Sequence, residues 1–289
     1  MRSTRARRAT GGFTLLEIVV VLGILVLLAN LVLGKLDILQ LKANKGAAIA
    51  NMTGVARYVS TYRSLTSFYP DRWDALCDSA GNPRVPGDQT SGVIGMDPQL
   101  IGLPASIEPS GEPKKLSFAT IASLAAAAGA TDGGEGAVRS IQRVGISTLC
   151  YDDLGTDGTM GDHFTVTGTA STASFIATID PADGDGQAII NHLYPNPAGD
   201  SAVPAGKILM VVGLGKYSTL IGAGSGAQAQ ASLLTDVPTY SNTNQTQYYN
   251  RYLVVFEVDA GGSRARMVEV LGGDGDQTTD ETGDYYGNA

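Results

Sequence analysis

The residue types that usually perform catalysis are few in this chain and form no recognised set. His163 and His192 are the only histidines, they lie far apart in the sequence, and neither belongs to an HExxH pattern. The chain has no GxSxG nucleophile elbow and no GKS or GKT phosphate loop. The sequence therefore predicts a protein that is not an enzyme, and we expect surface or structural roles for both histidines.

Carboxylates near the carboxyl end are better candidates for a site. Residues 272–285 read GGDGDQTTDETGDY, and we select Asp274, Asp276 and Asp280 as candidate calcium ligands. Calcium prefers hard oxygen ligands, and the glycines let the backbone bend around an ion. A solvated acidic tail that binds no metal is the alternative. Calcium is thus the one cofactor that the sequence suggests.

Two other acidic segments have a composition similar to that of calcium loops. They contain, respectively, Asp152, Asp153 and Asp157, and Asp180, Asp183 and Asp185. An EF-hand needs glutamate at its twelfth position, but counting from Asp180 or Asp183 leads to asparagine or tyrosine. We therefore expect turns or helix caps in these two segments.

Cys77 and Cys150 are the only cysteines. They are too few for a four-cysteine zinc site and too far apart for a CxxC redox pair. Three alternatives remain: one disulfide in an oxidising compartment, two buried thiols, or a nucleophile. If the chain is exported, a bridge is favoured, because closing so long a loop contributes roughly 4 kcal/mol of stability.

Composition excludes several classes of protein. Hydrophobic residues make up 43% of the 289 positions and charged residues 17%, which supports a folded core rather than a disordered chain. The net charge is −8, although residues 1–12 carry four arginines. The remainder has 16 basic and 28 acidic residues and would repel phosphate groups, so we expect no nucleic-acid partner.

The amino-terminal region contains a long apolar run that is interrupted only by Glu17, Asn30 and two small or hydroxylated residues. Residues 13–33 read FTLLEIVVVLGILVLLANLVL, which as a helix extends about 32 Å, the thickness of a bilayer core. The arginines before it predict a cytoplasmic amino terminus and an extracytoplasmic remainder. No small-residue cleavage site follows the run, as a secretory signal peptide would require. Glu17 inside the run needs a functional explanation, because a carboxylate in an apolar segment is costly.

The order of an arginine-rich leader, Gly12, Phe13, Thr14-Leu15-Leu16 and Glu17 resembles the class III signal of type IV pilins and type II secretion pseudopilins. The resemblance implies that a prepilin peptidase removes residues 1–12 by cutting after Gly12 and methylates the amine of Phe13. It also implies that Glu17 pairs with the amine of a neighbouring subunit. Asn30 and Gly34 depart from the family pattern.

The same resemblance implies partners and a location. The expected function is that of a structural subunit in a type IV pilus-like or type II secretion pseudopilus filament. The expected partners are identical and related subunits, the peptidase, an inner-membrane assembly platform, and membrane lipid before assembly. We expect a single-pass inner-membrane protein that later enters a periplasmic or extracellular filament. A membrane-anchored extracytoplasmic binding module or enzyme is the alternative function.

The rest of the sequence predicts an α+β, pilin-like fold. The predicted helix covers residues 13–64, with a membrane segment at 13–34 and then an amphipathic half whose apolar stripe includes Met52, Val55 and Val59. Residues 65–289 are expected to form a globular head with an antiparallel sheet and loop-rich insertions. Within it we expect a helix over 118–130, a strand at 207–213, and a hairpin formed by 252–258 and 265–271.

Overall fold

The computed structural model describes residues 15–83, 101, 114–151, 163–221, 233–235, 238 and 251–287. The chain divides into two compact units, Met1–Asn44 and Lys45–Ala289. Helix α1, Leu15–Thr66, begins in the first unit and ends in the second. The predicted leader, residues 1–12, lies outside the described residues.

In the first unit, large apolar side chains of α1 are exposed between Leu15 and Leu28 and again at Leu39. Among the described residues, no helix combines the length and the apolar character needed to cross a membrane. This finding contradicts the predicted single-pass location in an inner membrane.

The second unit contains the end of α1, an eight-stranded sheet and further helices. The described strands are β1 Trp73–Asp74, β2 Leu116–Thr120, β3 Thr148–Cys150, β4 His163–Thr165, β5 Phe175–Ile179, β6 Lys207–Gly213, β7 Leu253–Asp259 and β8 Arg266–Leu271. The other helices are α2 Ile121–Ala127, α3 Glu135–Gln142, α4 Gly184–Leu193 and α5 Thr278–Gly287, with a 3₁₀ turn at Thr169–Ala173.

The sheet is mixed and curls into a half-barrel. Strands β2, β5, β6, β7 and β8 follow one another as antiparallel neighbours. Strand β1 pairs antiparallel with the end of β6, with Asp74 opposite Gly213, and it runs parallel to β3 with Trp73 opposite Leu149. A parallel pair requires a long crossover, which here includes β2, α2 and α3.

The predicted fold class is therefore wrong. We expected a pilin-like architecture in which a long helix packs on an antiparallel sheet, and the mixed topology excludes that sheet. The predicted helix over 118–130 is also displaced, because residues 116–120 form β2 and the helix begins at Ile121. Thr120 accepts a hydrogen bond from the Ser123 amide at 3.2 Å and so caps α2. The predicted hairpin is confirmed by the pairing of β7 with β8.

One face of the sheet packs against the end of α1 and against α3. Met52, Val55 and Val59 are fully buried there, as are Met210 and Phe256 from the central strands. Trp73 is fully buried, lies 5.8 Å from Phe256 between ring centroids, and donates its indole N–H to the carbonyl of Pro70. Trp73 is thus a packing anchor with its polar atom satisfied.

The opposite face of the sheet packs against α4. Ile189 and Ile190 from this helix meet Leu209, Val211 and Val255. Strands β6 and β7 therefore bury side chains on both faces, which explains their nearly continuous apolar sequences, KILMVVG and LVVFEVD.

Two glycines of α4 provide a matched test of how this helix packs. A Cβ at Gly186 would lie 2.0 Å from the carbonyl oxygen of Asp180, whereas a Cβ at Gly184 meets nothing within 4 Å. We expect Gly186→Ala to destabilise the protein by about 1–3 kcal/mol, because the backbone must shift. Gly184→Ala should be neutral or slightly stabilising. Thermal unfolding of both variants checks this, and equal melting temperatures would show that α4 is not packed as described.

Candidate functional site

The amino-terminal part of α1 exposes an apolar surface of unusual size. Twelve large apolar side chains between Leu15 and Leu28 have exposed fractions from 51% to 81%. They occur on all sides of the helix, since only Glu17 and Gly23 interrupt the apolar residues of this segment. We call residues 15–28 the apolar segment. A contiguous apolar surface of this kind marks an interaction site, because leaving it in water is unfavourable.

Glu17 is the carboxylate of the apolar segment. It lies in the first turn of α1 and is exposed. A negative charge in the first turn interacts favourably with the helix dipole. Gly12 and Phe13, the predicted processing and methylation residues, lie outside the described residues.

The structure does not bring the predicted calcium ligands together. Among the described residues, no group of three or more histidines, cysteines, aspartates or glutamates has the proximity to hold a metal ion, so Asp274, Asp276 and Asp280 form no such set. The positive charge that faces Asp276 is that of a lysine of the same chain. The Nζ of Lys115 lies 2.5 Å from an Asp276 carboxylate oxygen. Sequence reasoning missed Lys115, which is distant from the loop along the chain.

The second acidic segment forms a turn and a helix cap, as we expected. Asp180 accepts a hydrogen bond from the amide of Ala182, and Asp183 caps α4 by accepting one from the amide of Asp185. The segment with Asp152, Asp153 and Asp157 lies outside the described residues.

Both cysteines are buried free thiols, so the structure does not contain the proposed bridge. Cys77 belongs to the core together with Leu149 and Tyr151. Cys150 lies between those two residues, and side chains alternate along a strand, so its thiol points to the other face. Burial raises the pKa of the Cys77 thiol, which disfavours the thiolate that a nucleophile requires.

A buried charged cluster on the α4 side of the sheet was not predicted. Its centre is Glu257 on β7, which is 7% exposed and accepts two hydrogen bonds from Arg266 at 3.0 and 2.8 Å. The hydroxyl of Tyr194 donates a third at 2.7 Å, and the Nζ of Lys207 lies 3.8 Å away. The signal in the sequence was a glutamate at an alternate position to Leu253 and Val255, and therefore on the same face of an otherwise apolar strand.

The charges in this cluster shift pKa values in opposite directions. Burial by itself would raise the pKa of Glu257, but the hydrogen bonds from Arg266 and Tyr194 and the nearby cations outweigh it and hold the pKa below its usual value. Burial and the neighbouring carboxylate raise the pKa of the Tyr194 hydroxyl. Glu257 is therefore an anion and Tyr194 a donor at neutral pH.

The two histidines occupy different environments. His163 lies exposed on β4. The Nε2 of His192, in the last turn of α4, is 3.4 Å from a carboxylate oxygen of Glu269 on β8. Burial raises the pKa of Glu269, and His192 opposes that shift only in part. His192 and Tyr194 thus both connect the end of α4 to the sheet through carboxylates.

An open groove lies beside α4. It has a volume of about 580 Å³ and is lined by residues of α2, α4, β6 and the 201–205 segment. Of its described lining residues, Lys207 alone is titratable, and that ammonium is held 2.6 Å from Asp259. The lining therefore provides no acid–base pair for catalysis.

No protein-family model matches this chain, and neither a curated protein nor a solved structure is significantly similar to it.

Glu257 and Glu269 lie on neighbouring strands and are expected to have opposite effects on stability as the pH changes. The pKa of Glu257 is lowered in the folded state, so its stabilisation is present above about pH 4.5 and is lost as the pH falls through the folded pKa. The pKa of Glu269 is raised, so its contribution is present at low pH and is lost as the pH rises through the folded pKa.

We expect Glu257→Gln to lower the free energy of unfolding by about 2 kcal/mol or more at pH 7, with the difference from wild type shrinking below pH 4. Glu269→Gln should match or exceed wild-type stability at pH 7. Denaturant titrations between pH 3 and pH 8 measure both effects. The same pH dependence in both variants would contradict the assigned roles.

Proposed function

We propose that this chain is a structural subunit of a type IV pilus-like or type II secretion pseudopilus filament. The observation that carries the proposal is the apolar segment, residues 15–28, with its exposed leucine, isoleucine and valine side chains and the carboxylate of Glu17. The proposal depends on this segment and on the sequence around Gly12, and it does not require the fold of the second unit to be that of a pilin.

The occupant that suits the apolar segment is the same segment of other copies. Each copy presents large aliphatic side chains of similar volume, and these interdigitate well between helices. Removing them from water contributes about 25 cal/mol for each Å² of apolar surface. Many copies packed in this way form a filament core.

Glu17 gives such packing a defined register. A carboxylate buried among aliphatic side chains is costly unless a cation compensates its charge. Cleavage after Gly12 would create a cation of suitable size, the amine of Phe13, four residues before Glu17. An amine from a neighbouring copy that reaches Glu17 stabilises one register, and registers that leave the carboxylate unpaired are disfavoured.

Processing is tested by mass spectrometry of the amino terminus, after expression in a strain that contains a prepilin peptidase and filament assembly proteins. We expect a mature chain that begins at an N-methylated Phe13. Gly12→Ala should retain residues 1–12 and yield no filaments, because cleavage is blocked. Gly11→Ala is the matched control and should still be processed. Wild-type protein that keeps its leader beside an active peptidase would refute the proposal.

The role of Glu17 is tested by a change that keeps its shape and removes its charge. Glu17→Gln should be processed normally but should reduce the yield of sheared filaments about tenfold or more, because the register-setting ion pair is lost. Asp37→Asn makes the same chemical change later in α1 and serves as the control. Equal filament yields from the two variants, counted by electron microscopy and immunoblotting, would contradict the role of Glu17.

A further inference from the structure

The acidic loop that follows β8 closes around a lysine. The Nζ of Lys115 lies 2.5 Å from Oδ1 of Asp276 and 3.2 Å from the carbonyl oxygen of Asp274. Only 9% of the Lys115 side chain is exposed, so most of it is shielded from water. An ammonium in such a position must have partners, because an unpaired buried charge is very costly.

The backbone of the loop is folded so that its oxygen atoms can approach this ammonium. The amide of Gly272 donates to the carbonyl of Asp276 at 2.8 Å, and the amide of Asp276 donates to the carboxylate of Asp274 at 3.1 Å. Gly275 has a φ of 85°, a conformation that favours glycine. Residues 272–276 thus form a compact turn, with one carbonyl and one carboxylate in contact with the same cation.

Lys115 and the loop belong to opposite ends of one series of strands. Lys115 immediately precedes β2, and Gly272 immediately follows β8. In the series β2, β5, β6, β7 and β8, β2 pairs among the described strands only with β5, and β8 only with β7. The contact between Lys115 and Asp276 therefore connects the two edges of this curled series. The carbonyl of Lys115 also accepts a hydrogen bond from the amide of Asp180, which fixes the backbone beside β5.

We propose that the ammonium of Lys115 is the cation that the 272–276 loop binds, and that this contact holds the β2 and β8 edges together. The ammonium lies where the oxygen atoms of the loop converge and supplies the positive charge that a metal ion would otherwise provide. The acidic loop then closes without calcium. This inference concerns the second unit and is independent of the proposed filament function.

The neighbouring lysine provides a matched control. Lys114 also has a carboxylate partner, Asp180 at 3.4 Å, but 51% of its side chain is exposed, so this pair contributes little. In full-length protein kept in mild detergent, we expect Lys115→Met to lower the melting temperature by about 5–10 °C and Lys114→Met by no more than about 2 °C. Equal shifts in the two variants would overturn the proposal.

The same measurement decides between the ammonium and a metal. Wild-type protein should have the same melting temperature with EDTA, without additives and with millimolar calcium. A fall in the melting temperature with EDTA, or a rise with calcium, that Asp276→Asn abolishes would show that the loop takes a metal and would overturn the proposal.

A double-mutant cycle tests whether Lys115 and Asp276 act together, and Lys115→Arg replaces Lys115→Met in it if the latter is poorly folded. Asp276→Asn keeps the shape of the loop and removes the charge that faces Lys115. We expect Lys115→Arg, which keeps the charge, to be milder than Lys115→Met. We also expect Lys115→Met to cause less than half its usual loss of melting temperature in the Asp276→Asn background, because the two residues act together. Additive losses would show that Lys115 and Asp276 are not coupled and would overturn the proposal.

Discussion

The second unit depends on one constraint: its central strands, β6 and β7, carry apolar side chains on both faces. Met210 and Phe256 point to one face, and Val211 and Val255 point to the other. A strand pair of this kind needs a layer on each side, because leaving either face in water would expose a large apolar area. The end of α1 and α3 cover the first face, and α4 covers the second. A single helix packed on a sheet, as in the predicted fold, would have left the second face bare.

When α4 covers the second face, it buries the carboxylate of Glu257, and the charged cluster compensates the cost of that burial. Glu257 lies in register with buried valine and leucine residues, where an isolated carboxylate would be unstable. Arg266 from the adjacent strand gives it two hydrogen bonds, and Tyr194 beyond the end of α4 gives it a third. The bond from Tyr194 connects the helix layer to the sheet. The same interactions that compensate the buried charge therefore help to fix where α4 ends on the sheet.

The parts of the fold that could be predicted are those that local sequence determines. The hairpin of β7 and β8 follows from two apolar runs separated by a glycine-containing turn. The parallel pairing of β1 with β3 had no local signal, because β1 contains only Trp73 and Asp74 and its partner follows a long crossover. Helix α2 was predicted too long, because the sequence before the alanine-rich run gives no clear signal that a strand ends and a helix begins at Thr120. Strand β2 forms because its partner β5 is available, which is a tertiary effect.

The same distinction applies to the candidate sites. The sequence around Gly12 and Glu17 is contiguous, so its pattern was visible without a structure, whereas the partners of the acidic loop were not. Lys115 is separated from Asp276 by 161 positions, and no spacing rule connects them. Carboxylates near glycines indicated a cation site, but they did not reveal that the chain itself supplies a cation. The sequence left the state of Cys77 and Cys150 open for a related reason, because only the structure shows that both are buried free thiols.

The geometry of the apolar segment also sets the smallest number of neighbouring helices that can cover it. A helix that packs on one partner buries a stripe about 100° wide. The segment is apolar on all sides, so one partner leaves most of it in water, and about three or four neighbours are required to surround it. A closed dimer does not provide that number. A bundle in which each helix has several neighbours does, and if each added copy brings an equivalent segment with one carboxylate, growth repeats the same contacts. Under the proposed function, this surface suits a filament in which each helix has several neighbours better than it suits a single docking event.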